Sequence, residues 1–335
     1  MEETVLSSQD ALPTVSNCYG VKMIGIGGAG CSVLKKMADQ AYTGLHLIPC
    51  HTDFTQLVTF PQAIPLGMRD LGLGLTAEQA RQWTLDQQAV ISSVLNPETK
   101  IVILVGGLGD GTVAGAAPVI AEMARQRGLL VVACVMMPFA SEGYETMQMA
   151  ERGLKQLTQS CDSVVAFSLD KLAENLNDDL SIAEFYAAAD ELLCQTARIV
   201  PDILKPSETP DSDIQELKTV LEASGLAFYT QLSIKGSQQR LEASVAKIKQ
   251  TFGNQRTLPH EAQRILLVVQ YDPLQALNTH EIRNIIQALK QTLGRRAAVF
   301  KVAPLASEGL GSELRLGILS SSGRTPEVLE WANTY

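Results

Sequence analysis

The sequence lacks the pairings by which cysteine usually declares a role. Cys18, Cys31, Cys50, Cys134, Cys161 and Cys194 are scattered, with no C-x-x-C pair and no histidine at ligand spacing. Most lie in apolar runs, so they read as buried free thiols in a reducing compartment rather than as a metal site or a disulfide frame. Excess positive charge is also missing: 27 Lys+Arg against 36 Asp+Glu give a formal net charge of −9. A dedicated nucleic-acid binder shows a basic stripe, whereas an acidic surface mainly keeps a protein soluble. No apolar run reaches the roughly 18 residues of a membrane span. The polar, acidic start MEETVLSSQDALPTVSN has no signal-peptide core. These absences predict a cytoplasmic protein that binds no nucleic acid.

What is present is a chain of 335 residues, 46% hydrophobic and 19% charged, long enough for two domains and a sizeable core. Apolar runs of strand length stand at 21–26, 45–52, 100–107, 129–137 and 161–168. Helical stretches at 29–42, 76–95, 114–127 and 142–159 alternate with them, the second opened by a capping box of Thr76 and Gln79. That alternation predicts an α/β fold with a doubly wound parallel sheet, covered on both faces, whose ligands sit at the carboxyl ends of the strands. A long central helix over 181–200, apolar on more than one face, runs into Pro201, Pro206 and Pro210. Strands at 226–234, 264–271, 297–305 and 313–322, with helices at 213–224, 237–251 and 278–293, predict a smaller α/β unit with a mostly one-sided sheet. The expected organisation is a flexible leader (1–19), a nucleotide-binding domain (20–180), a central helix and linker (181–205), a C-terminal α/β domain (206–322) and a short tail (323–335).

Two glycine loops carry the chemistry. In "GIGGAGCS" (25–32), Gly25, Gly27 and Gly30 match G-x-G-x-x-G between a strand and a helix, with Asp53 slightly late for the acid that holds a ribose. "LVGGLGDGTVAGAAPV" (104–119) is a second loop of the same kind. Two such loops on one rim suit several phosphates. Yet Asp110 stands inside the second cradle. It reads either as a built-in anion, occupying a helix N-terminus in place of a phosphate, or as a ligand to Mg²⁺ on a bound nucleotide. No catalytic histidine or lysine constellation accompanies the glycines, which argues against a dehydrogenase.

In combination and order these segments resemble the tubulin/FtsZ superfamily, and bacterial FtsZ most, over about residues 20–322. "IGIGGAGCSVLKKM" is similar to the family's first glycine loop, "HTDFTQL" (51–57) to its NTDAQAL segment, and "GLGDGTVAGAAPV" stands where GGGTGTG is expected. "MMPFASEGYETMQMAERGL" (136–154), "SLDKL" (168–172), "EFYAAADELL" (184–193) and "LGSELRLGIL" (310–319) resemble further family segments. The resemblance implies GTP or GDP, with Mg²⁺, held by Gly27, Gly28, Gly30, Asp53, Gly109, Asp110, Gly111, Thr112 and Gly115, a ribose contact from Glu142 and base stacking on Phe185. It also implies head-to-tail self-assembly, in which Asp213 and Glu216 of one copy position the attacking water at the next copy's nucleotide. Their spacing equally suits a helix capping box, worth about 0.5–2 kcal/mol. Phe185, likewise, could be a core residue.

Departures cluster on the implied pocket. Asp110 replaces a glycine, and a carboxylate about 4 Å from a phosphate costs about 4 kcal/mol at an effective dielectric of 20, a several-hundredfold loss of affinity. Val113 and Ala114 replace a glycine and a threonine, and Cys31 an asparagine; Val does not readily take positive φ. Thr146, Leu169 and Ala189 stand where the family has polar readers, and the third loop (70–80) is shortened. The family's long linker and adaptor-docking peptide are not evident, so no direct membrane anchor is expected. Three functions follow: a divergent FtsZ-like filament protein with weak, altered or lost GTP use, a competent GTPase of cell division, or a partner that caps or co-assembles with a true FtsZ.

Overall fold

The computed structural model describes residues 20–40, 42, 45–67, 76–176, 179–204, 210–235, 240–253, 262–275, 277–293 and 297–321, with the side chains of 210–213, 252 and 253 left out. The predicted leader, most of the third loop and the tail lie outside the described residues. The strands are β1 (Val21–Ile26), β2 (His46–His51), β3 (Ile64–Pro65), β4 (Ile101–Gly107), β5 (Leu130–Met137), β6 (Ser163–Ser168), β7 (Gly225–Ile234), β8 (Arg264–Tyr271), β9 (Val299–Ala306) and β10 (Leu314–Ser321). They form one ten-stranded sheet in the order β3-β2-β1-β4-β5-β6-β7-β10-β8-β9. Pairing is parallel from β3 to β7; β10 is antiparallel to both neighbours, and β9 is parallel to β8. The seam between the halves is short, with β6 and β7 in register over Ser163–Gly225, Val164–Leu226 and Val165–Ala227.

The parallel strands are apolar on both faces because both faces are covered. Along β1, Met23 packs towards α1 (Gly27–Asp39) and α7 (Ile182–Ala197), through Leu34, Met37 and Leu193. Its neighbour Ile24 packs the other way, into a layer with Ala117 and Ile120 of α4 (Gly111–Arg125) and Leu154 of α5 (Tyr144–Ser160). The mixed half was expected to have a mostly one-sided sheet, and β8 and β10 pack on both faces. Ile265 and Leu267 face α11 (Thr279–Leu293), which packs beside α10 (Arg240–Gly253), while Leu266 and Val268 join the core on the opposite face with Leu217 and Leu221 of α9 (Pro210–Leu221). A short helix, α6 (Leu169–Asn175), follows β6.

Several helix boundaries depart from expectation. The stretch at 76–95 is α2 (Ala77–Asp86) and α3 (Gln88–Val94), broken at Gln87; its predicted capping box is present, with Thr76 Oγ1 accepting from Gln79 N–H at 3.2 Å. The central helix is α7 followed by α8 (Ile199–Leu204), parted at Arg198, because Pro201 has no N–H for the Ala197 carbonyl and its ring crowds that group. Helix α9 opens at Pro210, a residue suited to a first helical position. Asp213 therefore lies inside the first turn rather than at the cap, and the capping box expected of Asp213 and Glu216 does not open this helix.

Candidate functional site

At the carboxyl edge of the parallel strands lies an open cleft of about 230 Å³, small beside the ~300–1,000 Å³ of most small-molecule sites. Its walls come from the first residues of α1 (Gly27, Gly28), the end of β4 and the turn after it (Gly107, Gly109, Asp110), the end of β5 with Glu142, and one face of α7. The two glycine loops do meet here, as their place after β1 and β4 implied.

Asp110 is the N-cap of α4. Its backbone is extended, and its Oδ1 accepts the Thr112 N–H at 2.8 Å. The cap starts α4 at Gly111, three residues before the predicted start, so Val113 sits in ordinary helix and needs no positive φ. The carboxylate also lies over the other loop: a Cβ built on Gly27 would stand 3.6 Å from Asp110 Oδ2. Gly27 has φ +69°, which only glycine holds without strain. Above Gly28 there is open space.

Gly30 and Gly115 serve packing instead. A Cβ on Gly30 would come within 2.4 Å of the Val105 carbonyl oxygen, and one on Gly115 within 2.0 Å of the Ala77 carbonyl oxygen. Neither lines the cleft, and neither do Gly111 and Thr112, both buried at the start of α4. Asp53 is also outside the lining; it caps a short turn through Thr55, whose N–H and hydroxyl both donate to Oδ1 at 2.8 Å. Those two bonds, the hydroxyl's first, hold its carboxyl below the usual range. Glu142 lines the cleft, with Oε1 accepting the Phe139 N–H at 2.9 Å. Phe185 does not; its ring stacks on Phe139 at 5.3 Å.

On α7 the residues that reach the cleft are Tyr186, Ala189, Asp190 and Leu193. Tyr186 and Asp190 escaped the sequence reading, although the spacing 186, 189, 190, 193 marks one helical face. Tyr186 is 48% exposed and meets Phe185 edge to face at 5.6 Å. Asp190 accepts a hydrogen bond from Ser32 Oγ, and burial raises its carboxyl against the pull of that bond and of Lys36.

The cleft thus presents Asp110, Glu142 and Asp190, and no lysine or arginine is among its lining residues. Leu169, Ala189, Met136 and Met137 give it an apolar floor. A triphosphate at the α4 end would displace a carboxylate already bonded to Thr112 N–H, so the lining does not fit one there. Among the described residues no three His, Cys, Asp or Glu side chains gather in a group that could hold a metal ion.

Asp213 and Glu216 are not brought to this cleft. The Glu216 carboxylate pairs with Lys301 at 3.1 Å, and Lys218, half a turn on, donates to the Gly128 carbonyl at 3.3 Å, just before β5 begins. That is the amino edge of the sheet, a strand length of about 23 Å from the cleft. The Asp213 side chain lies outside the described residues.

Against known proteins, the family profile described as "Tubulin/FtsZ family, GTPase domain" matches residues 20–177. The chain is 32% identical over 307 residues to the cell division protein FtsZ of Pseudomonas aeruginosa, covering 90% of this chain and 76% of that protein. It is 31% identical over 307 residues to FtsZ of Azotobacter vinelandii, with the same coverage. The chain belongs to the FtsZ family. Solved structures agree on the fold: an empty FtsZ dimer from M. jannaschii superposes with TM-score 0.78 at 24% identity, covering 90% of this chain and 88% of that one. CetZ2 from Haloferax volcanii, solved as a GTPγS-bound protofilament, gives 0.75 at 20% identity, covering 93% and 96%. No described helix is long and apolar enough to cross a membrane.

Proposed function

We propose that this FtsZ-family chain is a divergent cytoskeletal protein that assembles head to tail into protofilaments, with weak, altered or lost use of GTP. The observation that carries the reading is the Asp110 carboxylate, hydrogen-bonded to Thr112 N–H at 2.8 Å and lying over Gly27, where a phosphate would otherwise sit. Leu169 and Ala189 add to it, since a guanine edge would face hydrocarbon there and lose the hydrogen bonds that discriminate bases. Head-to-tail assembly is supported by the likeness to neighbours solved as an FtsZ dimer and as a CetZ2 protofilament. The curated relatives are named as cell division proteins, and the reading carries that role here.

The test is the nucleotide content of freshly purified protein, read by ion-exchange chromatography after denaturation, with GTP titration by calorimetry as the check. The reading expects an empty protein with GTP affinity at least a hundredfold below that of a competent FtsZ measured alongside, and sedimentable polymer without added nucleotide. Stoichiometric GDP or GTP would transfer the case to a competent GTPase. Failure to sediment alone, with an altered assembly of a co-incubated FtsZ, would make the chain a co-assembling or capping partner.

A further inference from the structure

At the amino edge of the sheet, opposite the cleft, lies a groove of about 840 Å³, within the ~300–1,000 Å³ of most small-molecule sites. Three cations from three segments line it: Lys100, before β4, Arg127, before β5, and Lys218 on α9. No aspartate or glutamate is among the lining residues. Elsewhere Lys36, Lys171, Arg240 and Lys301 each pair with a carboxylate. The three groove cations have no such partner among the described residues, in a chain where 36 acids outnumber 27 bases.

Their hydrogen bonds aim these cations without neutralising them. Arg127 donates to Ser92 Oγ at 2.8 Å, and Lys218 to the Gly128 carbonyl at 3.3 Å. Each keeps further N–H donors for a ligand. The Lys100 backbone N–H donates to the Gly20 carbonyl at 2.8 Å, which holds the start of β4 in place beneath that side chain. Asn96 accepts the Thr99 hydroxyl at 2.9 Å on its amide oxygen, so its NH₂ group remains as one more donor. The ends of α3 and α4 nearby each carry roughly half a negative charge, which three cations more than offset. The field in the groove therefore favours an anion. Leu95, Pro97 and Ile214 supply apolar ground beside the charges.

We propose that this groove binds the di- or triphosphate group of a small molecule, with Lys100, Arg127 and Lys218 on the phosphates and the molecule's body on Leu95, Pro97 and Ile214. The Arg127 guanidinium matches phosphate oxygens two at a time, and the lysines add point charges. The groove shares no lining residue with the cleft. A chain can thus reject a phosphate chain beside Asp110 and accept one at the far edge of the same sheet.

The experiment is calorimetric titration of the full chain with pyrophosphate and, separately, with ADP, at a concentration where the chain stays in the supernatant on sedimentation. Saturable binding near one ligand per chain is expected at about 0.05 M salt, weakened about tenfold or more at about 0.5 M. Lys100→Gln/Lys218→Gln should lower the affinity for both probes about tenfold or more, whereas Lys218→Arg, which keeps the charge, should retain most of it. Arg127→Gln is the second variant if thermal melts show the double one unfolded, with a similar loss expected. ADP binding about threefold or more tighter than pyrophosphate supports the apolar ground as the seat of the ligand's body. Equal affinities support the phosphate contacts and overturn that role.

Absence of saturable binding, or binding that survives the groove variants, overturns the proposal. Binding that rises in Asp110→Gly and ignores the groove variants belongs to the cleft and overturns it equally. Whether the chain forms filaments at higher concentration decides the reading above and leaves this site standing.

Discussion

The two glycine loops look alike as strings and differ as structures. After β1, Gly27 turns the chain at φ +69° and Gly28 stands open to the cleft. After β4, Asp110 places its own carboxylate on the helix N-terminus, and Val113 fills the space over Gly106, whose added Cβ would lie 2.7 Å from Val113 Cγ2. One loop still offers backbone to a ligand, and the other is closed by its own side chain. Gly30 and Gly115 sit where a helix touches a backbone carbonyl, so they serve the fold whether or not a ligand is present. A glycine fingerprint can therefore outlast the ligand it suits, because part of it is packing.

The largest test of that difference is to open the closed loop. Asp110→Gly should raise GTP affinity several hundredfold, the counterpart of the about 4 kcal/mol of repulsion removed. It should lower stability by only a few tenths of a kcal/mol, since glycine is tolerated at an N-cap. Asp110→Asn keeps a cap and discards the charge. Equal gains in the two variants, by calorimetry, assign the block to charge, whereas a gain in Asp110→Gly alone assigns it to bulk. No gain in either would overturn the built-in anion.

Packing glycines are next in size. Gly115→Val sets a side chain against the Ala77 carbonyl at the α2–α4 crossing and should cost about 3 kcal/mol in urea unfolding. Gly28→Ala, with nothing within 4 Å of the new methyl, should stay within about 0.5 kcal/mol. If Gly28→Ala destabilises as much as Gly115→Val, the division of glycines into packing and open positions is wrong.

Much of the fold was legible because its signals are local. Apolar runs gave β1, β4 and β5, and Thr76 with Gln79 gave the start of α2. What was not legible depends on contacts between distant segments. Nothing near 266 or 268 in sequence announces that α9 covers the second face of β8. The site was half legible: loops after β1 and β4 must share an edge, and Asp110 is conspicuous among glycines. Phe185 and Tyr186 are adjacent in sequence, and only the turn of α7 decides that Tyr186 reaches the cleft while Phe185 stacks on Phe139. Asp53 carried a spacing signal, and in the structure its carboxylate accepts from the Thr55 N–H and hydroxyl and caps its own turn.

The smallest effect is a titration across the two loops. His51, at the end of β2, accepts the Asp53 N–H on Nδ1 at 2.8 Å, a bond that a proton on Nδ1 would break. Burial lowers its pKa, and the charges of Asp53 and then Asp110 oppose that shift. With the folded value below the unfolded ~6.5, the unfolded chain binds more protons between the two values, so stability rises with pH there. The contribution of His51 is complete above the unfolded value and fades as pH falls towards the folded one. His51→Gln should flatten the fall in melting temperature between about pH 7 and about pH 5, as far as this residue causes it. Asp110→Asn removes one of the charges that raise the imidazole, so His51 should titrate lower still, read from its ring-proton shifts by NMR. An unmoved titration would place the Asp110 charge out of reach of the first loop's edge, and with it the idea that one carboxylate governs the mouth of the cleft.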